Sequence, residues 1–308
     1  MKGRELIIRV FGILLFLMGV VAALLGPAEI FCFYLFSKGG MFHYEGFRFG
    51  SFMFGTIAAQ VLGYYFIASI LVPVGFGTMR LKKWSHHFML ALVQFWIIGG
   101  LPLIAAFLFV LISSKSLTYF ILILIGILLL VSYPILPFIV IHFYKSQKTF
   151  LIFEKHASTT TWIETIPIPI LSLSILFIFF IIILHVQIFF NGIFPIFGTW
   201  ASGLTGILMI DLCIILLLAI LFGVVKIRKW AWLSALIYFC TLTLSYIITL
   251  TTSSWPKIIS VLNLPAYEID ILQKIHLHGY HIAILSGIPF LFTIILIFRA
   301  KSCFIKLS

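Results

Sequence analysis

Charged residues are scarce in this chain: Asp, Glu, Lys and Arg make up 9% of its 308 residues, whereas hydrophobic residues make up 63%. A soluble domain carries about 25% charged residues, so this sequence has too few polar side chains to cover a water-facing exterior. Apolar runs of about 18 residues or more, long enough for a helix to cross a bilayer core, recur along the chain. The alternating pattern of membrane β-strands is absent. The sequence therefore predicts an all-α, polytopic transmembrane helix bundle.

Cysteine is also sparse. The four cysteines form neither a Cys-x-x-Cys pair nor a Cys/His metal spacing, so neither a disulfide framework nor a structural zinc is predicted. A phosphate-binding glycine loop, Gly-x-Ser-x-Gly, His-Glu-x-x-His and a pair of intramembrane aspartates are missing too. These absences predict no cofactor and no catalytic or metal-binding residue. They rank an intramembrane enzyme last among the function classes.

The net charge of +12 does not indicate nucleic-acid binding. A nucleic-acid surface needs a contiguous basic face, whereas the basic residues of this chain form short clusters between apolar runs. Such clusters are typical of cytoplasmic loops, where Lys and Arg lie next to anionic headgroups. The expected partners are the lipid bilayer and other membrane subunits, with no nucleic acid among them.

Eight apolar segments are predicted to span the membrane, at residues 7–25, 51–77, 87–112, 117–143, 167–189, 202–225, 231–252 and 280–298. With the N-terminus inside, the cytoplasmic segments hold fifteen Lys and Arg in five groups of three. The outer segments hold five, which are Lys38, Arg48, Lys115, Lys257 and Lys274. This asymmetry predicts a multi-pass cell-membrane protein with both termini in the cytoplasm. The signal-like N-terminal segment is interpreted as a retained first span.

One short motif occurs twice: residues 77–84 read Gly-Thr-Met-Arg-Leu-Lys-Lys-Trp, and residues 223–230 read Gly-Val-Val-Lys-Ile-Arg-Lys-Trp. Each copy joins the second and third spans of its half. We therefore interpret the chain as a tandem parallel repeat of two four-helix halves, 1–156 and 157–308, which together make one membrane domain. The predicted topogenic anchors, in the cytoplasmic headgroup layer, are Arg80, Lys82, Lys83, Trp84, Lys226, Arg228, Lys229 and Trp230. Gly77 and Gly223 are expected to leave room for close helix approach or for bending.

These Gly-x-x-basic-x-basic-basic-Trp turns resemble the cytoplasmic turns of many prokaryotic multi-pass membrane proteins of uncharacterised activity. The resemblance covers the two turns and the overall layout. It implies a membrane-embedded helical protein, and it brings no activity, cofactor or site residue with it.

Asp211 is the acidic residue that lies well inside a predicted span. An ionised carboxylate at that depth costs at least about 2.5 kcal/mol, so Asp211 is expected to face the bundle interior or a water-filled cavity, or to be protonated. Burial without a cationic partner raises the pKa of a carboxyl group, which suits proton coupling or cation binding. The alternative is a neutral Asp that hydrogen-bonds to a neighbouring helix.

The other polar residues of the spans are expected to act mainly as interhelical hydrogen-bond partners. They are Gln60, Gln94, Thr241, Thr243, Ser245 and Thr249, of which Gln60 and Gln94 join Asp211 as candidate site residues. His276, His278 and His281 form a His-x-His-x-x-His segment that matches no established zinc or haem spacing. Two long outer loops are expected, 26–50 and 253–279, and the apolar run 258–264 predicts a short helix on or in the outer leaflet.

Three functions of different class remain open. The first is a non-catalytic accessory or structural membrane protein that acts through helix–helix or lipid contacts. The second is a small-solute or proton-coupled transporter with its site between the two halves and Asp211 as its polar centre. The third is an intramembrane enzyme. The scarcity of intramembrane charge favours the first, whereas the internal parallel repeat favours the second.

Overall fold

The computed structural model describes residues 2–113, 119–157, 161–273 and 278–306. Lys115, Lys274 and His276 lie outside the described residues. The helices are α1 (Lys2–Phe36), α2 (Phe52–Met79), α3 (Lys83–Ser113), α4 (Tyr119–Leu130), α5 (Leu136–Lys145), α6 (Gln147–Lys155), α7 (Trp162–Thr165), α8 (Ile168–Phe189), α9 (Gly203–Val225), α10 (Lys229–Thr252), α11 (Trp255–Leu262), α12 (Ala266–Gln273) and α13 (Gly279–Lys306). A π-helical turn, Val131–Ile135, joins α4 to α5, and a hairpin of β1 (Phe194–Ile196) and β2 (Thr199–Ala201) lies between α8 and α9.

Seven helical segments in the described part of the chain are long and apolar enough to cross a membrane. They coincide with seven of the predicted spans, and this confirms a multi-pass, all-α membrane protein. The third predicted span, 87–112, coincides with the helix α3. Many side chains in the second half of α3 lie outside the described residues, and α3 is not one of the seven, so the count of eight remains a prediction.

The first loop is shorter than expected. The first span was expected to end at residue 25, but α1 continues to Phe36, with Pro27 inside it. A proline removes one helical hydrogen bond, which the surrounding helix tolerates when neighbouring groups compensate. The loop expected at 26–50 therefore begins only at Ser37.

The helices α1 and α2 pack closely because glycines line their contact. Gly12, Gly19 and Gly26 recur every seven residues on the buried face of α1. A Cβ atom built on Gly12 would lie 2.5 Å from the backbone nitrogen of Met79, and one on Gly19 would lie 2.7 Å from that of Val72. In a bilayer, helix pairs depend on such close backbone approach, since the apolar side chains gain little by leaving lipid.

The core of the second half centres on α8, the most buried of the seven candidate spans. Phe177 and Phe180 of α8 meet Phe239 of α10, and the ring of Phe180 stacks on that of Phe290 of α13 with centroids 5.2 Å apart. The helix α8 also contacts α2, α3 and α9. It therefore joins the helices that precede residue 157 to those that follow it.

Candidate functional site

Asp211 lies on the exterior of the bundle. The side chains one turn away, Leu208 and Ile215, are exposed as well, whereas Ile210 and Ile214 on the other face of α9 are buried in the core. No described residue hydrogen-bonds or ion-pairs with Asp211. Of the three expectations for this carboxyl, the one that it faces the bundle interior is wrong, whereas its being protonated stays a prediction. A helix that is apolar on every side gives the sequence no periodicity from which its buried face can be read.

Gln60 and Gln94 are also separate from Asp211. Gln60 is exposed on α2, while Gln94 is partly buried between α3 and α8. The hydroxyl of Ser172 lies 3.0 Å from Oε1 of Gln94, and its other acceptors are the carbonyls of Ile168 and Ala91. Gln94 is thus the interhelical hydrogen-bond partner that the sequence predicts. The three candidate residues share no hydrogen bond within the described part of the chain.

The hydroxyls of α10 bind the hairpin β1–β2. The backbone N–H of Phe197 donates to Ser245 (3.1 Å) and that of Gly198 to Thr249 (2.9 Å). Ser245 in turn donates to the carbonyl of Pro195 at 2.7 Å. Phe197 and Gly198 form the two-residue turn with positive φ angles of 41° and 100°, the geometry that a tight hairpin requires.

This cluster extends along α10 to the adjacent loop. The indole N–H of Trp200 donates to Ser253, and Gln187 of α8 hydrogen-bonds to the hydroxyl of Tyr246. Sequence analysis treated Ser245 and Thr249 as contacts between helices and missed the hairpin. The available signal was the four-residue spacing of Ser245, Thr249 and Ser253, which places three hydroxyls on one face of the helix. Thr243 instead donates to a carbonyl of its own helix, and Thr241 is exposed.

The segment 253–273 reaches the start of α2. Glu268 of α12 accepts hydrogen bonds from the backbone N–H groups of Phe52 (2.7 Å) and Met53 (3.3 Å), which have no partner within their own helix. A carboxylate at this place also interacts favourably with the positive end of the helix dipole. The predicted short helix is confirmed as α11, but sequence analysis missed α12 and this long-range contact.

The histidines do not form a metal centre in the described residues, where no group of three or more His, Cys, Asp or Glu converges. The backbone N–H of His278 donates to Nδ1 of His281 at 3.0 Å, and Glu268 is engaged at α2. His86, just before the third predicted span, has its Nε2 atom 2.9 Å from the carbonyl oxygen of Tyr144. Burial lowers the pKa of His86, since desolvation disfavours the charged form of the ring.

The two copies of the repeated turn adopt the same backbone. Leu81 and Ile227 both have φ of 54°, a left-handed conformation that is unusual for side chains of this size. In each copy the next N–H donates to the motif glycine: Lys82 to the carbonyl of Gly77 (2.8 Å) and Arg228 to that of Gly223 (2.9 Å). This is a Schellman C-cap without the usual glycine at the left-handed position.

The two motif glycines lack a side chain where the Trp rings pack. A Cβ on Gly77 would lie 2.5 Å from the ring of Trp84, and one on Gly223 would lie 2.6 Å from that of Trp230. The expected close helix approach is confirmed, because a Cβ on Gly77 would also lie 2.8 Å from Ser85 of α3, and one on Gly223 would lie 2.6 Å from Ala231 of α10. The basic residues of the two turns are Arg80, Lys82, Lys83, Lys226, Arg228 and Lys229. The ammonium group of Lys83 lies 3.8 Å from the carboxylate of Glu154, and the guanidinium group of Arg80 lies over the ring of Phe76.

Two cavities lie at the end of the bundle that carries the first of these turns. One, of about 310 Å³, includes Trp84 and Trp162 in its lining, and the other, of about 420 Å³, includes His86, His87 and Lys145. Neither is lined by Asp211, Gln60 or Gln94.

Comparison of the chain with models of protein families, with curated proteins and with solved protein structures finds no match.

Proposed function

We propose that this chain is a non-catalytic accessory protein of the cell membrane that acts by lateral contact with other membrane polypeptides. The observation that carries this proposal is Asp211, an exposed carboxyl in the middle of the apolar helix α9. A carboxyl group in hydrocarbon is unfavourable by about 2.5–3.5 kcal/mol on insertion scales, so a polar group of a neighbouring membrane segment would stabilise it.

The use of the other polar groups supports the same proposal. Gln94 links two helices, Ser245 and Thr249 hold the hairpin, and Glu268 caps α2. These side chains have structural partners and are not gathered around a common space. A transporter with its site between the halves would need Asp211 on an inner surface, and the carboxyl lies outside, so this alternative has less support.

The proposed topology has eight spans, with both termini in the cytoplasm and two four-helix halves of the same orientation. The length of α3, 31 residues, supports an eighth span, because a helix needs about 20 residues to cross the bilayer core. The excess of Lys and Arg at the basic–Trp turns supports the orientation. The shared left-handed residue and the matching cap hydrogen bond of the two turns support the repeat.

The experiment is site-specific photo-crosslinking in the intact membrane. A photoreactive amino acid replaces Leu208, next to Asp211, or Ile237, which is equally exposed on α10. We expect a protein adduct from position 208 that decreases when Asp211→Leu is added, and no such dependence at position 237. Adducts with lipid alone at position 208 would contradict lateral contact through α9.

A proton-flux assay tests the alternative, a proton-coupled transporter. The purified protein is placed in sealed vesicles, and the movement of protons is followed under an imposed pH gradient. We expect the same flux for the wild type and Asp211→Asn. A flux that the wild type supports and the variant loses would favour the transporter.

A further inference from the structure

The larger of the two cavities near the first basic–Trp turn has both a polar and an apolar wall. Its volume of about 420 Å³ lies within the range of about 300–1,000 Å³ that is usual for small-molecule sites. The polar wall includes His86, His87, Lys145 and Gln147, and the apolar wall includes Leu90 and Ile168. A ligand that is polar at one end and apolar at the other would match this lining.

Lys145 gives the cavity a positive charge. Its side chain is exposed and has no ion-pair partner among the described residues. Lys83 differs, since its ammonium group lies 3.8 Å from the carboxylate of Glu154. No acidic side chain is among the described residues that line the cavity. An anionic group that entered the cavity would therefore meet a positive charge that no carboxylate of the lining compensates.

The two histidines supply hydrogen-bonding groups. Nε2 of His86 lies 2.9 Å from the carbonyl oxygen of Tyr144, and Nε2 of His87 hydrogen-bonds to the carbonyl oxygen of Ile166. A carbonyl oxygen only accepts, so Nε2 carries a proton in both rings. Nδ1 of each ring has no hydrogen-bond partner among the described residues. A hydroxyl group both donates and accepts, so it would pair with Nδ1 whether or not the ring is protonated.

The second copy of the repeated motif has a larger ring at the position of His86. Trp232 is the second residue after the motif Trp there, as His86 is in the first copy. The indole N–H of Trp232 donates to the carbonyl of Ile297 at 2.9 Å, and the ammonium group of Lys301 lies 5.4 Å from the centre of the indole. The contact with a carbonyl thus needs only a ring N–H. The imidazole of His86 makes the same contact, and it adds a second nitrogen that an indole lacks.

We propose that this cavity binds an anionic phospholipid with a hydroxylated headgroup, of the phosphatidylglycerol type. The phosphate pairs with Lys145, the two glycerol hydroxyls pair with Nδ1 of His86 and His87, and the first acyl carbons contact Leu90 and Ile168. Basic pockets between membrane helices bind anionic headgroups in the same way. The ligand is a lipid because part of the lining is apolar and the adjacent basic–Trp turn has the composition of a membrane interface. This site is independent of the lateral contact proposed above.

The first test is native mass spectrometry of the delipidated full-length protein, titrated with phosphatidylglycerol or with phosphatidylcholine of the same acyl chains. We expect one phosphatidylglycerol to bind about fivefold more tightly than phosphatidylcholine, and Lys145→Gln to lose that factor, since one Lys beside an anionic headgroup contributes about this much. Lys148→Gln is the matched control, because Lys148 is exposed nearby but does not line the cavity. Equal affinity for the two lipids, or equal losses in the two variants, would overturn the site.

The second test uses His86→Trp, which places the ring of the second copy in the first. This variant keeps a ring N–H for the carbonyl of Tyr144, removes Nδ1 and fills part of the cavity. We expect an unfolding midpoint near that of the wild type and phosphatidylglycerol binding as weak as that of phosphatidylcholine. A folded His86→Trp protein that binds phosphatidylglycerol as tightly as the wild type would show that the lipid is not in this cavity.

Glycerol phosphate, which has the headgroup chemistry without acyl chains, separates a lipid from a soluble ligand. We expect no glycerol phosphate on the protein at the concentration that saturates it with phosphatidylglycerol. Binding of equal strength would mean that the cavity takes a soluble phosphate ester, and the lipid proposal would be wrong.

Discussion

At the scale of single residues, the structural role of a polar side chain inside the bundle depends on its hydrogen-bond partner. Thr249 illustrates this, because its hydroxyl accepts the N–H of Gly198 at the hairpin turn while the side chain itself is fully buried. A buried N–H without an acceptor costs about 1–3 kcal/mol. The hydroxyls of α10 therefore supply the acceptors that the N–H groups of the hairpin turn need.

We predict that Thr249→Val destabilises the protein by about 1–3 kcal/mol, because valine keeps the shape of the side chain and removes the acceptor. Unfolding midpoints in detergent, together with hydrogen exchange at the Gly198 amide, measure this effect, and exchange is expected to accelerate. Thr251→Val is the matched control, since the Thr251 hydroxyl is exposed and bonds only to carbonyls of its own helix. An equal loss in both variants would contradict the role of the hairpin contact.

At the scale of elements, backbone contact between α1 and α2 replaces the hydrophobic driving force that a soluble helix pair would have. The seven-residue spacing of Gly12, Gly19 and Gly26 places three glycines along one face, where the backbone of α2 lies close to Gly12 and Gly19 and the ring of Tyr65 lies close to Gly26. The spacing is visible in the sequence, yet only the structure shows that α2 lies on that face.

We predict that Gly19→Ala lowers the free energy of unfolding by about 1–3 kcal/mol, because its Cβ would lie 2.7 Å from the backbone nitrogen of Val72 and the two helices would have to separate. The control is Gly63→Ala on α2, where an added Cβ meets nothing within 4 Å. That variant is expected to be neutral or slightly stabilising, since alanine favours helix more than glycine does. Denaturant titration in detergent compares the two. A stable Gly19→Ala protein would show that the contact is looser than described.

At the scale of the whole molecule, the two ends of the bundle differ. One end carries the basic–Trp turns, and at the other the segment 253–273 is tied to α2 by Glu268. This contact and the helix α8 connect the residues before position 157 with those after it. The asymmetry of charge between the two ends is the physical basis of the proposed orientation.

We predict that both termini and residue 148 face the cytoplasm, whereas residue 38 faces outward. A variant without the native cysteines carries one cysteine at residue 2, 38, 148 or 306, and intact cells are treated with a membrane-impermeant thiol reagent. Only position 38 is expected to react before the membrane is opened, and all four are expected to react afterwards. Reaction at one terminus and not the other in intact cells would mean an odd number of spans.

The sequence by itself determined the class of this protein, the location of seven membrane helices and the presence of a repeated turn. Hydropathy is a local property that adds up along the chain, so the length and position of an apolar helix follow without knowledge of its neighbours. The direct pairing of Gln94 with Ser172 was foreseen only as a type of contact.

Only the tertiary structure decided which polar residues of each helix face the core and which face outward. The helix α9 is apolar on all sides, so nothing local distinguishes the face with Ile210 from the face with Asp211 until α8 and α10 cover one of them. The hairpin on α10 and the cap that Glu268 provides on α2 join residues about 50 and 216 positions apart. Such contacts depend on how the helices pack together, and no local sequence pattern predicts that packing.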